Sequence, residues 1–294
     1  MKIGIIGESK GNGHPYSWSA IINGFDRNVL DKVPFPAIQH YLYNVIPTNV
    51  LNNKVKVTKI FCENIEYARH VAMFAKIDQV SSTLQNFAND IDAIIIAKDD
   101  YKNHYSLIKT LAPYKLPILI DKPIATNLTD LNKILSLKNY KSQFFSCSGL
   151  YFSPEIKDFP NISENIIKIK VLTHGPWDRY SIHMIDPLQK YFSENGINFH
   201  KFTSFKKSVI NAELHLELRF NELIVELVSG STEVFGVKFI FENKKNETFK
   251  IEFTNTYTAF SDMLSCFIQQ IKNKKSFFSI ENLENTVKLI ELGE

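Results

Sequence analysis

The stretch Leu116-Pro117-Ile118-Leu119-Ile120-Asp121-Lys122-Pro123 constrains the fold more than any other part of this chain. Apolar residues run directly into an acid, a lysine and a proline. A continuous apolar run, unlike an alternating one, suits a strand buried on both faces of a parallel sheet. Such a sheet presents ligand-binding residues at the carboxyl ends of its strands. Lys122 is therefore expected to emerge where a ligand lies, with Pro123 biasing it towards extended backbone. Taken alone, the same residues are better read as a solvated lysine at a strand-to-loop turn; the rest of the chain reverses that preference.

Upstream, short apolar strands alternate with helices. Lys2 to Ile6 is a strand, followed by the glycine-rich turn Gly7-Glu8-Ser9-Lys10-Gly11-Asn12-Gly13-His14-Pro15 and a helix over Ser17 to Gly24, with Ser17 as N-cap and Gly24 as its stop. Strand, glycine turn and helix place backbone N–H groups and a helix N-terminus against a pyrophosphate. Ser9 stands where the G-x-G-x-x-G fingerprint has its second glycine, so by itself the turn fits a dinucleotide loop and an ordinary turn equally. The segment from Phe25 to Asn53, with Pro34, Pro36 and Pro47, is longer than a normal connection and reads as an insertion. Its Phe35, Tyr41 and Tyr43 suit local packing better than a pocket lining.

Val55 to Phe61 is a second strand. An acid at the end of this strand accepts hydrogen bonds from the adenine ribose and repels a 2′-phosphate. Glu63 is the candidate, favouring NAD over NADP, although an acid starting the helix over Ile65 to Ala75 explains it equally well. Asp92 to Ala97 is a further strand and Tyr105 to Ala112 a helix. Thr129 to Leu137 is another helix, capped by Asn127 or Thr129, and Gln143 to Gly149 a last strand. Strand–helix alternation argues a doubly wound, Rossmann-type α/β domain, assigned to residues 1–123.

Residues 124–294 change character. Alternating stretches over Ile166–Leu172, His215–Phe220, Leu223–Val228, Val237–Phe241 and Phe249–Phe253 predict a mostly antiparallel open sheet, with Asn221-Glu222 as a hairpin turn. Helices over Tyr257–Lys272 and Ile280–Leu292 close an α+β domain and are candidates to pack back on the first domain. An open sheet face predicts a homodimer or homotetramer.

Composition removes several classes. Hydrophobic content of 44% with 22% charged residues describes a globular chain, and 294 residues suit two domains. Apolar runs fall short of the roughly 18 residues that span a bilayer. Met1-Lys2 leads straight into a strand rather than a secretion signal. Cys62, Cys147 and Cys266 are scattered and odd in number, which argues against a disulfide framework or a cysteine-based zinc site and fits a reducing cytoplasm. A net charge of +3 is too mild to imply nucleic acid.

The order of these features resembles the glucose–fructose oxidoreductase/inositol dehydrogenase (Gfo/Idh/MocA) family over nearly the whole chain. Ile3 to Gly7 resembles its opening strand. Ile91 to Ala97, with His104 after a short turn, resembles its D-A-hydrophobic segment. Asp121-Lys122-Pro123 is similar to its Glu-Lys-Pro signature, with aspartate for glutamate. Gly149 to Pro154 resembles its entry into the second domain, and His183-Met184-Ile185-Asp186 its H-x-x-D element. The linker from Pro154 to Glu164 is short for the family, which suggests a trimmed substrate domain.

The resemblance implies an NAD-dependent enzyme, NADP not being excluded, that moves a hydride to or from a ring carbon of a sugar, sugar phosphate, nucleotide sugar or cyclic polyol, with synthesis of a bacterial surface or amino sugar as one setting. A non-catalytic sensor of a dinucleotide or sugar is the alternative. Oxidising a secondary alcohol requires a base within reach of the hydroxyl. His183 is a side chain whose unperturbed pKa lies near neutrality, Asp186 is placed to orient it, and Lys122 stabilises alkoxide charge or shares the proton transfer. Which of Lys122 and His183 is the formal base stays open. Arg179 stands where the family has an acid four residues before the histidine, and Tyr180 is a substitute hydroxyl. Cofactor candidates in the turn are Gly7, Ser9, Gly11, Asn12, Gly13 and His14, with Tyr16 and Trp18 beside them. Glu63, Ala97, Lys98, His104, Asp121 and Lys122 are those at the later strand ends.

Overall fold

The computed structural model describes residues 1–46, 54–162 and 165–294. Pro47 and the remainder of the insertion to Asn53 lie outside the described residues, as does Glu164 at the end of the linker. The chain divides into two compact units that interleave along the sequence, where the sequence reading draws one boundary after Pro123. The first unit comprises residues 1–125, 129–146 and 260–279, and the second 126–128, 147–259 and 280–294.

The first unit runs β1 (Lys2–Ile6), α1 (His14–Asn23), α2 (Pro36–Tyr43), β2 (Lys56–Phe61), α3 (Ile65–Phe74), β3 (Gln79–Val80), α4 (Leu84–Phe87), β4 (Ala93–Ile96), α5 (Tyr101–Leu111), β5 (Ile118–Ile120), α6 (Leu128–Leu135) and β6 (Phe144–Phe145). Its six strands lie in the order β3-β2-β1-β4-β5-β6, every pair parallel. The order reverses between β1 and β4, and such a switch point opens a crevice at the carboxyl ends of the strands. The apolar runs are buried on both faces: Ile3, Ile5, Ala93 to Ile96 and Ile118 to Ile120 are at most 1% exposed. β5 ends at Ile120, leaving Asp121 and Lys122 at the crevice.

Two boundaries differ from expectation. α1 starts at His14, with Pro15 in its first turn and Gly13 as N-cap, and not at Ser17. Proline fits this position because its missing N–H is not needed there. Ser17 is fully buried, and its hydroxyl accepts a hydrogen bond from Tyr41 of the insertion. Gly24 ends the helix as expected, at φ 76°. α5 starts four residues earlier than the pattern suggests, at Tyr101.

The second unit carries β7 (Ile166–Thr173), α7 (Trp177–Tyr180), α8 (Ile182–Glu194), β8 (Ser204–Ile210), β9 (Glu213–Phe220), β10 (Leu223–Ser229), β11 (Val237–Asn243) and β12 (Thr248–Glu252). They form one mixed sheet in the order β12-β11-β7-β10-β9-β8. The β7–β10 pair is parallel and the others antiparallel. Asn221 turns the β9–β10 hairpin at φ 54°, doing what glycine usually does. One face packs Ile169, Val171, Leu218, Val225 and Phe239 against Met184, Ile185 and Leu188 of α8. The alternate residues form charge ladders, including Lys168–Glu226 at 3.1 Å and Lys238–Glu252 at 2.7 Å. β8 was not expected; its Lys206-Lys207 pair interrupts the apolar alternation.

α9 (Thr256–Asn273) returns the chain to the first unit from Phe260 onward. Gln270 donates to the carbonyls of Ser142 and Phe144 at 3.0 Å, and Phe267 packs on Phe145. α10 (Ile280–Gly293) belongs to the second unit, where Trp177 Nε1 donates to Ile290 O at 2.8 Å.

Candidate active site

The glycine turn is folded by its own polar side chains. Asn12 Oδ1 accepts from the His14 backbone N–H at 2.7 Å, and Asn12 Nδ2 donates to Asp121 Oδ2 at 2.8 Å. Ser9, at the second glycine position, gives its hydroxyl to Asp99 Oδ1 at 2.7 Å. Gly13 must lack a side chain, because a Cβ there would lie 2.3 Å from Ile38 and 2.8 Å from Phe35 of the insertion. Gly11 sits at φ 79° with open space where its side chain would be, a conformation few other residues tolerate.

Asp121 closes this arrangement from β5. It is 1% exposed and accepts hydrogen bonds from Asn12 Nδ2, from His14 Nδ1 at 2.6 Å and from the Lys122 backbone N–H at 2.8 Å. Burial would raise its carboxyl, but the neighbouring His14 and Lys122 outweigh that and hold it below the usual carboxylate range. His14 stacks on Trp18 at 4.4 Å and meets Phe260 edge-on. Lys122 is 6% exposed, with Nζ 3.8 Å from Asp99 Oδ2. Burying a charged amine is costly without an opposing charge, and the Asp99 carboxylate supplies one.

A cavity of about 330 Å³ opens beside the switch point, lined by Gly7, Phe61, Glu63, Lys98, Asn103 and His104 among others. Glu63 follows β2, is 81% exposed in its side chain, and pairs with Lys98 at 3.1 Å. His104 is buried, its Nε2 2.7 Å from Lys98 O and its Nδ1 3.2 Å from Ile124 O. It thereby ties the loops after β4 and β5 together. Ala97 is buried and donates its N–H to Ile6 O at 2.8 Å. Cys62 is also buried, and burial pushes its thiol up to about 12, so it stays a protonated, unreactive group.

In the second unit, α8 presents His183 and Asp186 one turn apart. Ser148 joins them: its hydroxyl lies 2.7 Å from His183 Nδ1, while its backbone N–H donates to Asp186 Oδ2 at 2.7 Å. Thr286 adds its hydroxyl to Asp186 Oδ1 at 3.3 Å. Burial pushes the Asp186 carboxyl up to about 7 against the lowering effect of these donors. Tyr180 lies edge-on to His183 at 5.7 Å and to His174 at 4.9 Å. Gly175 makes room for it, since a Cβ there would fall 2.1 Å from the Tyr180 ring.

The candidates thus fall into two groups, one in each unit. Asp99 and Ser148 are neighbours of these candidates that the sequence does not single out. Asp99 lies in the turn between β4 and α5, a position that signals a strand-end ligand. Ser148 carries no comparable signal.

Parallel sheet, switch-point cavity and glycine turn define a dinucleotide-binding α/β protein. Residues 1–147 match the model of an oxidoreductase family with an NAD-binding Rossmann fold, and the chain belongs to that family, Gfo/Idh/MocA. Similar solved structures include myo-inositol 2-dehydrogenase from Lactobacillus plantarum, at 12% identity and a TM-score of 0.72 over 99% of this chain and 95% of that one. A dehydrogenase from Clostridium difficile matches at 14% identity and 0.69, over 99% and 98%. Apo scyllo-inositol dehydrogenase from Lactobacillus casei matches at 12% and 0.67, over 99% and 94%. Such identities establish the fold alone. No curated protein matches the chain in sequence.

The cofactor is NAD, and the residues present fit it. The open Gly11 turn leaves backbone accessible for a phosphate, and the cavity by Glu63 is of a size that holds a small-molecule moiety.

Proposed function

We propose that this oxidoreductase moves a hydride between NAD and a ring hydroxyl or ketone of a sugar, sugar phosphate, nucleotide sugar or cyclic polyol. Synthesis of a bacterial surface or amino sugar is the setting that suits it. The observation that carries this reading is Lys122, a buried ammonium group at the end of β5 in an NAD-binding unit. The inositol dehydrogenases among the structural neighbours support a polyol-like substrate.

Bound NAD supplies the hydride acceptor, or in reverse the donor. The chain supplies the proton chemistry. Lys122 donates to the reacting oxygen and stabilises charge developing there. His183 exchanges the hydroxyl proton, its ring fixed by Ser148 through Nδ1. Asp186 acts one step back, by holding the Ser148 backbone. Tyr180, packed on His183, offers a hydroxyl to the substrate. Glu63 binds the adenine ribose and disfavours a 2′-phosphate.

Three free, buried cysteines are consistent with a cytoplasmic location, which belongs to the same proposal. No helix among the described residues is long and apolar enough to cross a membrane. Self-association through the second sheet is also proposed, motivated by Phe205, Val209 and Ile210 standing at least half exposed on β8.

Fluorescence titration with NADH and NADPH, followed by a panel of sugar phosphates, nucleotide sugars and inositols assayed in both directions, tests the function. NADH binding with turnover of one panel member is expected. Binding without turnover of any substrate class favours the sensor alternative, and no binding removes the reading.

A further inference from the structure

The β1–α1 turn has given up some of the backbone donors that such turns ordinarily offer to a diphosphate. At the start of α1, the His14 N–H is taken by Asn12 Oδ1 and Pro15 has no N–H. Within the turn, the Asn12 N–H goes to Ser9 O. A dinucleotide still has to bring two negative charges to this place, because the fold puts the pyrophosphate at the first strand–helix turn.

One side chain there is built to answer that charge. His14 is the first residue of α1, and its Nδ1 is anchored on Asp121, a fully buried carboxylate at the end of β5. An ionised Asp121 can only accept, so Nδ1 carries its hydrogen. The ring is held flat against Trp18 and edge-on to Phe260 of α9, which fixes its orientation. Nε2, on the opposite edge of the ring, makes no hydrogen bond to another described residue, and the side chain is 17% exposed. Asp121, just after β5, is the charged group paired with it, and Lys122 and Asp99 are the charged groups around Asp121. A protonated imidazole has a donor at each nitrogen, and this one joins a buried anion to open space at the head of the helix.

We propose that His14, seated on Asp121 and oriented by Trp18, is the main side-chain donor to the diphosphate of the bound dinucleotide, standing in for the backbone N–H groups of Asn12 and His14 that the turn uses internally. Binding the cofactor then places the His14 ring between two anions, with the Nδ1 hydrogen bonded to Asp121 and Nε2 turned to a phosphate oxygen. The inference rests on NAD binding at this turn.

The test separates diphosphate recognition from folding. ADP, adenosine and NADH are titrated by calorimetry into the wild-type chain and into His14→Asn, whose amide can still donate to Asp121. His14→Gln serves as a second variant, and circular dichroism melts confirm that each is folded. The expected result is a loss of about tenfold or more in affinity for ADP and for NADH, with adenosine affinity unchanged, the size of one charge-assisted hydrogen bond. Equal ADP affinity in wild type and in both folded variants overturns the assignment. So does an equal loss for adenosine, which would mark a purely structural role. A wild-type chain that binds neither ADP nor NADH overturns it together with the dinucleotide reading beneath it.

Discussion

His14 Nδ1 lies 2.6 Å from Asp121 Oδ2, joining the first residue of α1 to the residue just after β5. The family signature has glutamate where this chain has Asp121. The shorter acid here has a specific partner, because it is completely enclosed by Asn12, His14 and the Lys122 backbone. The departures at Ser9 and Asp121 are therefore parts of one hydrogen-bonded unit with Asn12 and His14.

Asp121→Asn replaces the acceptor common to these three donors with a group that is half donor. A buried donor left unmatched costs about 1–3 kcal/mol. The variant is expected to unfold several degrees below the wild type in a thermal melt and to bind NADH more weakly. An unchanged melting temperature would contradict the enclosed network.

Lys122→Ala is expected to lower turnover by at least a hundredfold, about 2.7 kcal/mol of transition-state stabilisation, while NADH affinity stays within a few-fold of wild type. Steady-state kinetics on the substrate found by the panel, with NADH fluorescence alongside, makes the comparison. Normal turnover would remove Lys122 from the mechanism.

Glu63→Ala removes the charge that would face a 2′-phosphate and frees Lys98, its partner at 3.1 Å. The ratio of NADPH to NADH affinity should rise about tenfold, or 1.4 kcal/mol. A constant ratio would assign Glu63 to the start of α3 instead of the ribose.

Asp186 gives a pH dependence. Its carboxyl is raised to about 7 when folded, against an ordinary value of 3.8. Between those values the folded chain holds a proton that the unfolded chain has released, so stability from this group is full below about pH 4 and is lost as pH rises through 7. Wild type should therefore lose more stability than Asp186→Asn between pH 4.5 and 7.5 in denaturant titrations, by up to a few kcal/mol. Parallel profiles would place the Asp186 pKa near its ordinary value.

The first sheet could be read from the sequence because its signal is dense. Ala93 to Ile96 and Ile118 to Ile120 are apolar without interruption, and burial on both faces leaves no other simple reading. The β9–β10 hairpin was equally plain, since Asn221 tolerates the left-handed turn. β8 was lost because an exposed edge strand carries little apolar alternation. The start of α1 was misplaced because Ser17 resembles an N-cap in sequence, whereas its hydroxyl is used by Tyr41, 24 residues away. Ser148 escaped for a related reason: a hydroxyl that links a histidine 35 residues downstream leaves no local pattern. Lys122, His183 and Asp186 were legible as residue types in order, but their partners were set by tertiary contacts.

The interleaving of the two units sets the order in which they can be completed during synthesis. All six strands of the first sheet have been made once residue 145 is reached, yet Gln270 and Phe267, which bind Phe144, Ser142 and Phe145, are still more than a hundred residues away. β6, at the sheet's edge, must wait for α9 while nearly all of the second unit is translated. A fragment cut after Pro123 would lack β6, α6 and α9 together. A fragment that keeps the contacts of the first unit must therefore carry residues 260–279 together with the first 146.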